Sequence, residues 1–216
     1  MHLSERTLIN LIFIVLLASA FNSAFAETAN KELPAACQTG CKSLYGTMLG
    51  KSPRGIEAYS NCQSGCVIFE PNNWNGTYTG IKWQCVEYAR RWLLVNTGAV
   101  YGDVDIAADI WDKIDHLTDV KTKMPIPLET RLNGSTQAPE VGDLLIYAKA
   151  FNGTGHVAVI TGIDIKNGLV EVSEQNFNNE SWPDDYARKI MLIIRDGNYW
   201  ILDGYLLGWK HAKIDT

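Results

Sequence analysis

The chain has 216 residues, a formal net charge of −5, 46% hydrophobic residues and only 19 Lys and Arg against 24 Asp and Glu. With no basic block or lysine-rich stripe, the electrostatic footprint of a nucleic-acid binder is missing, and a neutral or cationic partner suits the chain better than a phosphate backbone. The length suffices for one domain with a sizeable core and a small appendage.

In chain order, residues 1–26 have the features of an export signal: an early arginine (Arg6), an apolar run over residues 8–21, and the small-residue pattern Ala24-Phe25-Ala26. The run is shorter than the roughly 20 residues of a spanning helix. The expectation is cleavage after Ala26, no stable membrane insertion, and a secreted or periplasmic mature chain. Residues 27–70 hold two near copies, Cys37-Gln-Thr-Gly-Cys41 and Cys62-Gln-Ser-Gly-Cys66. Cysteines four apart share a helix face. Two such helices folded back antiparallel would pair Cys37 with Cys66 and Cys41 with Cys62, stapling a helical hairpin. A four-cysteine zinc site is the rival reading, and four cysteines formally allow three pairings; the export signal favours disulfides, so no metal is expected.

The turn-forming stretch "EPNNWNGTYTG" marks residues 71–82 as a linker, and residues 83–216 as the main domain. From Gln84 the pattern becomes helical through Val86, Ala89 and Leu93 and stops at Gly98. Cys85, the fifth cysteine, then stands in the first turn, where free amides and the helix dipole favour a thiolate. A buried, inert cysteine is the bland alternative. A thiol nucleophile needs a base and a group that orients it. Of four histidines, His2 leaves with the signal and His116 and His211 read as surface residues. His156 opens the apolar strand "HVAVITGI", and the next strand, "LVEVSEQN", can bring Glu174 or Asn176 beside its ring. Strands are expected at 143–149, 156–163, 169–175 and 188–195, with a further hairpin strand at 198–202 closed by the "DGN" turn. The pair Asp103 and Asp105 reads as a helix cap rather than a calcium loop fragment. Arg90 and Arg91 read as solvent-facing charges, Arg90 with a second role as a ligand for a substrate carboxylate. Trp74, Tyr78, Trp83 and Trp182 are candidates to line a groove, with plain packing as the rival.

The segments "KWQCVEYARRWLLVNTGAVY", "TGHVAVITGI" with "SEQN", and "LLGWK" together resemble the CHAP family of papain-like cysteine amidohydrolases. The likeness extends to the amidase domains of glutathionylspermidine synthetase/amidase and trypanothione synthetase. The resemblance implies an α+β fold with a nucleophile helix packed on an antiparallel sheet. It also implies a catalytic Cys85, His156 and Glu174, no cofactor, and an oxyanion site using Gln84, whose side chain could equally cap the helix. Asn176 is a second residue for orienting the base or binding substrate. The substrate expected from the compartment is peptidoglycan peptide, the alternative being a glycyl-polyamine amide of the glutathionyl-polyamine type. An inactive secreted binding module, or a delivered toxin with a cognate immunity or inhibitor protein, are readings from other classes.

Overall fold

The computed structural model describes residues 33–213, so the expected export signal lies outside the described residues. Of the described residues, 34–213 belong to one compact unit. The first two strands, β1 (Met48–Lys51) and β2 (Glu57–Tyr59), pair with each other, as do β3 (Pro71–Trp74) and β4 (Thr77–Ile81). Helix α1 (Cys85–Thr97) follows, then β5 (Ala99–Tyr101), the short α2 (Asp109–Lys113), β6 (His116–Asp119) and β7 (Pro125–Leu132). The chain closes with β8 (Leu144–Tyr147), β9 (His156–Asp164), β10 (Leu169–Ser173), β11 (Arg188–Arg195), β12 (Asn198–Ile201) and β13 (Leu206–Ala212). Nine strands make an antiparallel sheet in the order β12-β11-β10-β9-β8-β13-β7-β6-β5. The α+β class is as expected. Among the described residues, no helix is long and apolar enough to cross a membrane.

Alternate residues of the central strands feed two cores. Leu144, Ile146, Val157 and Val159 pack with Tyr88, Trp92 and Leu93 of α1, whereas Leu145, Tyr147, Ala158 and Ile160 pack with Val172, Ile190 and Trp209. Burial on both faces explains why β8 and the start of β9 read as unbroken apolar runs instead of alternating ones. Helix α1 ends where Gly98 turns left-handed (φ 74°) and its N–H donates to the Leu94 carbonyl at 3.0 Å. The β11–β12 turn uses Asp196 (φ 51°) and Gly197 (φ 76°), the paired positive dihedrals that a two-residue hairpin of right-handed twist requires.

Three expectations need correction. The disulfides Cys37–Cys66 and Cys41–Cys62 are present as nested pairs, but they do not staple two helices. Only Ala35–Cys37 makes a 3-10 turn, and the chain between Cys41 and Cys62 is the β1–β2 hairpin. Segments this short cannot meet the cost of helix nucleation. Side chains take their carbonyls instead: Gln63 Nε2 donates to Ala36 O at 3.0 Å and Thr39 O at 2.9 Å. Secondly, the stretch read as a linker is the β3–β4 hairpin, packed so tightly on α1 that a Cβ at Gly80 would lie 2.9 Å from Cβ of Glu87. Thirdly, Asp103 and Asp105 cap no helix, since α2 starts after Ala108.

Candidate active site

Cys85 is the first residue of α1 and is 7% exposed. Gln84 before it is in extended conformation and its side chain makes no capping hydrogen bond, which removes the capping alternative. What aims α1 is a buried polar cluster on its next turn. Glu87, fully buried, accepts from Arg91 Nε at 2.7 Å, Asn72 Nδ2 at 2.8 Å, Thr79 Oγ1 at 3.1 Å and Gln175 Nε2 at 3.1 Å. A buried carboxylate is tolerated when its lone pairs are met this fully. The cluster joins α1 to the β3–β4 hairpin and to the segment after β10. Arg91 is therefore an interior ion-pair partner, not the solvent-facing charge expected from sequence. The same correction holds for Arg90, 6% exposed, which donates to Asp103 Oδ1 at 3.0 Å and Tyr78 O at 3.4 Å. Neither contact turns Arg90 toward Cys85.

His156 begins β9 opposite Tyr147 and is 1% exposed. Gly155 precedes it at φ +72°, where an added Cβ would meet the Tyr147 carbonyl at 2.6 Å, so the approach to the histidine admits only glycine. Nε2 of His156 lies 2.8 Å from Glu174 Oε2, and the Cys85 side chain stands close enough to the ring to raise its pKa. With Nε2 committed to the carboxylate, Nδ1 is the nitrogen left for the thiol. Burial on its own would depress the histidine pKa, but the charge and hydrogen bonds of Cys85 and Glu174 outweigh it and hold His156 up at about 9. Burial likewise pushes Glu174 up, and His156 and Arg188 overcome it to leave the carboxyl below its usual range.

Sequence reasoning missed the support behind Glu174. Arg188, at the start of β11, donates Nε to Glu174 Oε1 at 2.6 Å and Nη2 to the Tyr147 hydroxyl at 2.8 Å, and that hydroxyl donates to Asp203 Oδ2 at 2.7 Å. Arg188 pairs across the sheet with Val172, two residues before Glu174. The diagonal reach of cross-strand neighbours, applied to the expected strands 169–175 and 188–195, was the signal that could have found it.

A cleft of about 660 Å³ opens over Cys85 and His156. One wall is the loop carrying Asp103 and Asp105; another is the disulfide-held segment through Ser64, Gly65, Val67 and Phe69; Phe151 and Asn176 complete it. Gln84 lines the cleft with its amide held at both ends, Oε1 accepting from Asn176 Nδ2 at 2.6 Å and Nε2 donating to Cys66 O at 3.2 Å. Of the four aromatic groove candidates only Tyr78 lines the cleft. Trp83 packs on Tyr59, Trp182 on Tyr88, and Trp74 is exposed. His116 is on the surface as expected, but His211 is partly buried and bound to the buried Asp143 at 2.7 Å.

Residues 75–176 match the family model for the CHAP domain. Over 190 residues, 80% of this chain, the sequence is 34% identical to the bifunctional glutathionylspermidine synthetase/amidase of Escherichia coli strain K12. It is also 34% identical over 160 residues to the trypanothione synthetase of Crithidia fasciculata, 74% of this chain being covered. The chain spans only 30% of the former protein and 24% of the latter.

Proposed function

Taking residues 75–176 as a CHAP domain with the amide-hydrolase chemistry of that family, we propose that Cys85, His156 and Glu174 act together as a thiol amidase. The observation that carries this reading is one imidazole held between the Cys85 side chain and the Glu174 carboxylate at the head of α1. The thiolate attacks the amide carbonyl carbon and its electrons move onto the oxygen. As the tetrahedral species collapses, the C–N bond breaks and the imidazolium hands its proton to the leaving amine. Neutral His156 then takes a proton from water, which attacks the thioester, releases the acid and returns the thiol. Glu174 fixes the ring tautomer and favours the imidazolium. The Cys85 backbone N–H and Gln84 Nε2 stabilise the oxyanion.

For the substrate, the cleft wall carries Asp105 and Asp103, the latter already paired with Arg90, and among the described residues no lysine or arginine lines the cleft. An acidic wall favours a cationic amine as leaving group. This supports an amide between a peptide carboxyl group and a polyamine, the bond class suggested by the name of the Escherichia coli relative. Cell-wall peptide is the second reading, carried by the two disulfides, which fit an oxidising extracellular or periplasmic setting. The two separate on incubating the protein with glutathionylspermidine and with purified sacculi and identifying the products by mass spectrometry. Free spermidine released only with intact Cys85 supports the first reading; new amino termini in the sacculi support the second. Release of neither ends the amidase proposal for these substrates.

A further inference from the structure

The disulfide-held segment does more than form a wall. We infer that the Cys37–Cys66 disulfide is a positioning element for oxyanion stabilisation, acting through the main-chain carbonyl of Cys66 on the side-chain amide of Gln84. The inference rests on Cys85 being the acyl-accepting nucleophile.

The Cys66 carbonyl accepts from Gln84 Nε2 at 3.2 Å and from Asn61 Nδ2 at 3.1 Å. On the opposite side of the same amide, Asn176 Nδ2 donates to Gln84 Oε1 at 2.6 Å. A carbonyl on one side and an N–H donor on the other admit a single orientation of the amide, because the flipped form would set oxygen against oxygen and N–H against N–H. In the admitted orientation Nε2 spends one hydrogen on Cys66, and the other is left for an oxyanion formed on Cys85 in the adjoining cleft. The loop bearing this carbonyl is tied at its start by Cys41–Cys62 and by the Asn61 and Gln63 side chains, and at the carbonyl's own residue by Cys37–Cys66. Ser64, Gly65 and Val67 are exposed, whereas Cys66 is fully buried and tied to Cys37. Asn61 links the same loop to the segment that carries Asn176, its backbone N–H donating to Asn179 Oδ1 at 3.0 Å, three residues further on. Both partners of the Gln84 amide thus trace back to the disulfide-held segment.

The test compares two reactions of Cys85 that need different help. Acylation by p-nitrophenyl acetate passes through a tetrahedral oxyanion: sulfur bonds to the carbonyl carbon, the electron pair moves to oxygen, and p-nitrophenolate leaves as the thioester forms. Alkylation by iodoacetamide forms a carbon–sulfur bond and expels iodide with no oxyanion. Cys37→Ser/Cys66→Ser is expected to slow acylation about tenfold and Gln84→Ala about 100-fold, with alkylation changed less than twofold in both. Combining them should cost no more than Gln84→Ala alone, because both act on one amide. Should the double cysteine variant not fold, Asn61→Ala keeps both disulfides and is expected to slow acylation several-fold, again sparing alkylation. Equal slowing of both reactions, losses that multiply, or unchanged acylation would overturn the inference. A wild-type thiol that acylates no faster than free cysteine would instead remove the nucleophile itself, and the proposed function with it.

Discussion

The two long walls of the cleft are built on different principles. The sheet wall, from β8 to β11, holds His156, Glu174 and Arg188 by strand register and by ion pairs whose members meet nearly all of one another's hydrogen-bonding capacity. The wall formed by residues 34–69 has only a two-stranded ladder and a short 3-10 turn, and it leaves Leu44, Met48 and Phe69 exposed. Besides the buried Leu49, Ile56 and Ala58, two crosslinks hold it. Chemistry that needs a proton held to within fractions of an ångström sits on the wall fixed by many cooperative contacts. The wall that carries the two crosslinks borders the cleft and meets the Gln84 amide through the Cys66 carbonyl.

Substitutions on the sheet wall and the helix that faces it should have the larger effects. Cys85→Ala or His156→Ala is expected to lower kcat at least about 10⁴-fold, measured on whichever substrate the product assay identifies; a loss under tenfold would break the comparison outright. Glu174→Gln should cost roughly 100-fold and also reveal itself in pH dependence. The His156 pKa is raised to about 9, so the stability its contacts contribute is complete below the ordinary value near 6.5 and is lost as pH climbs through about 9. Activity that depends on the imidazolium fades over the same alkaline window. Removing the Glu174 charge should move that alkaline limb to lower pH, as read from kcat/KM profiles.

On the crosslinked wall the expected signature is stability before chemistry. Cys41→Ser/Cys62→Ser removes the disulfide that does not touch Gln84 and should cost about 2–4 kcal/mol in urea titration, with acylation of Cys85 retained at temperatures where the fold persists. Arg188→Lys sharpens the contrast from the other side. A lysine cannot make the forked contact to Glu174 and Tyr147, and a drop in kcat of about tenfold with little change in KM is expected. The smallest effect belongs to Phe69→Ser: Phe69 is 86% exposed, so its loss should change stability by under about 0.5 kcal/mol while raising KM for an extended substrate.

Much of the proposed site was legible in the sequence. A cysteine at a helix start and a histidine opening an apolar strand are visible as pattern, which left Glu174 and Asn176 both open as the histidine's partner; the CHAP resemblance implied Glu174. The strand intervals at 156–163, 169–175 and 188–195 and the helix stop at Gly98 follow from the same periodicities. The charged interior was not legible. Arg90, Arg91 and Glu87 look like any helix surface in sequence, and only the folding back of the neighbouring β3–β4 hairpin and the arrival of Gln175 from far along the chain put them inside. The first strands of the sheet, β5 to β7, were also unforeseen, since short segments with prolines and charges resemble loops until a neighbour supplies the ladder.

By itself the sequence determined which groups are available for catalysis, because residue type and order are enough to state them; the cysteine pairs came out nested as expected, but on a β-hairpin and not on the helices from which that pairing was argued. Only the tertiary structure decided on which face the acid stands. Between Glu171 and Val172 the pairing of β10 with β9 slips by one residue, from Glu171↔Gly162 to Val172↔Ile160, leaving Thr161 unmatched. A strand alternates faces with a period of two, so an unbroken ladder would have turned Glu174 away from His156. That single extra residue, settled by how the strands pack and not by any motif, brings the carboxylate under the imidazole.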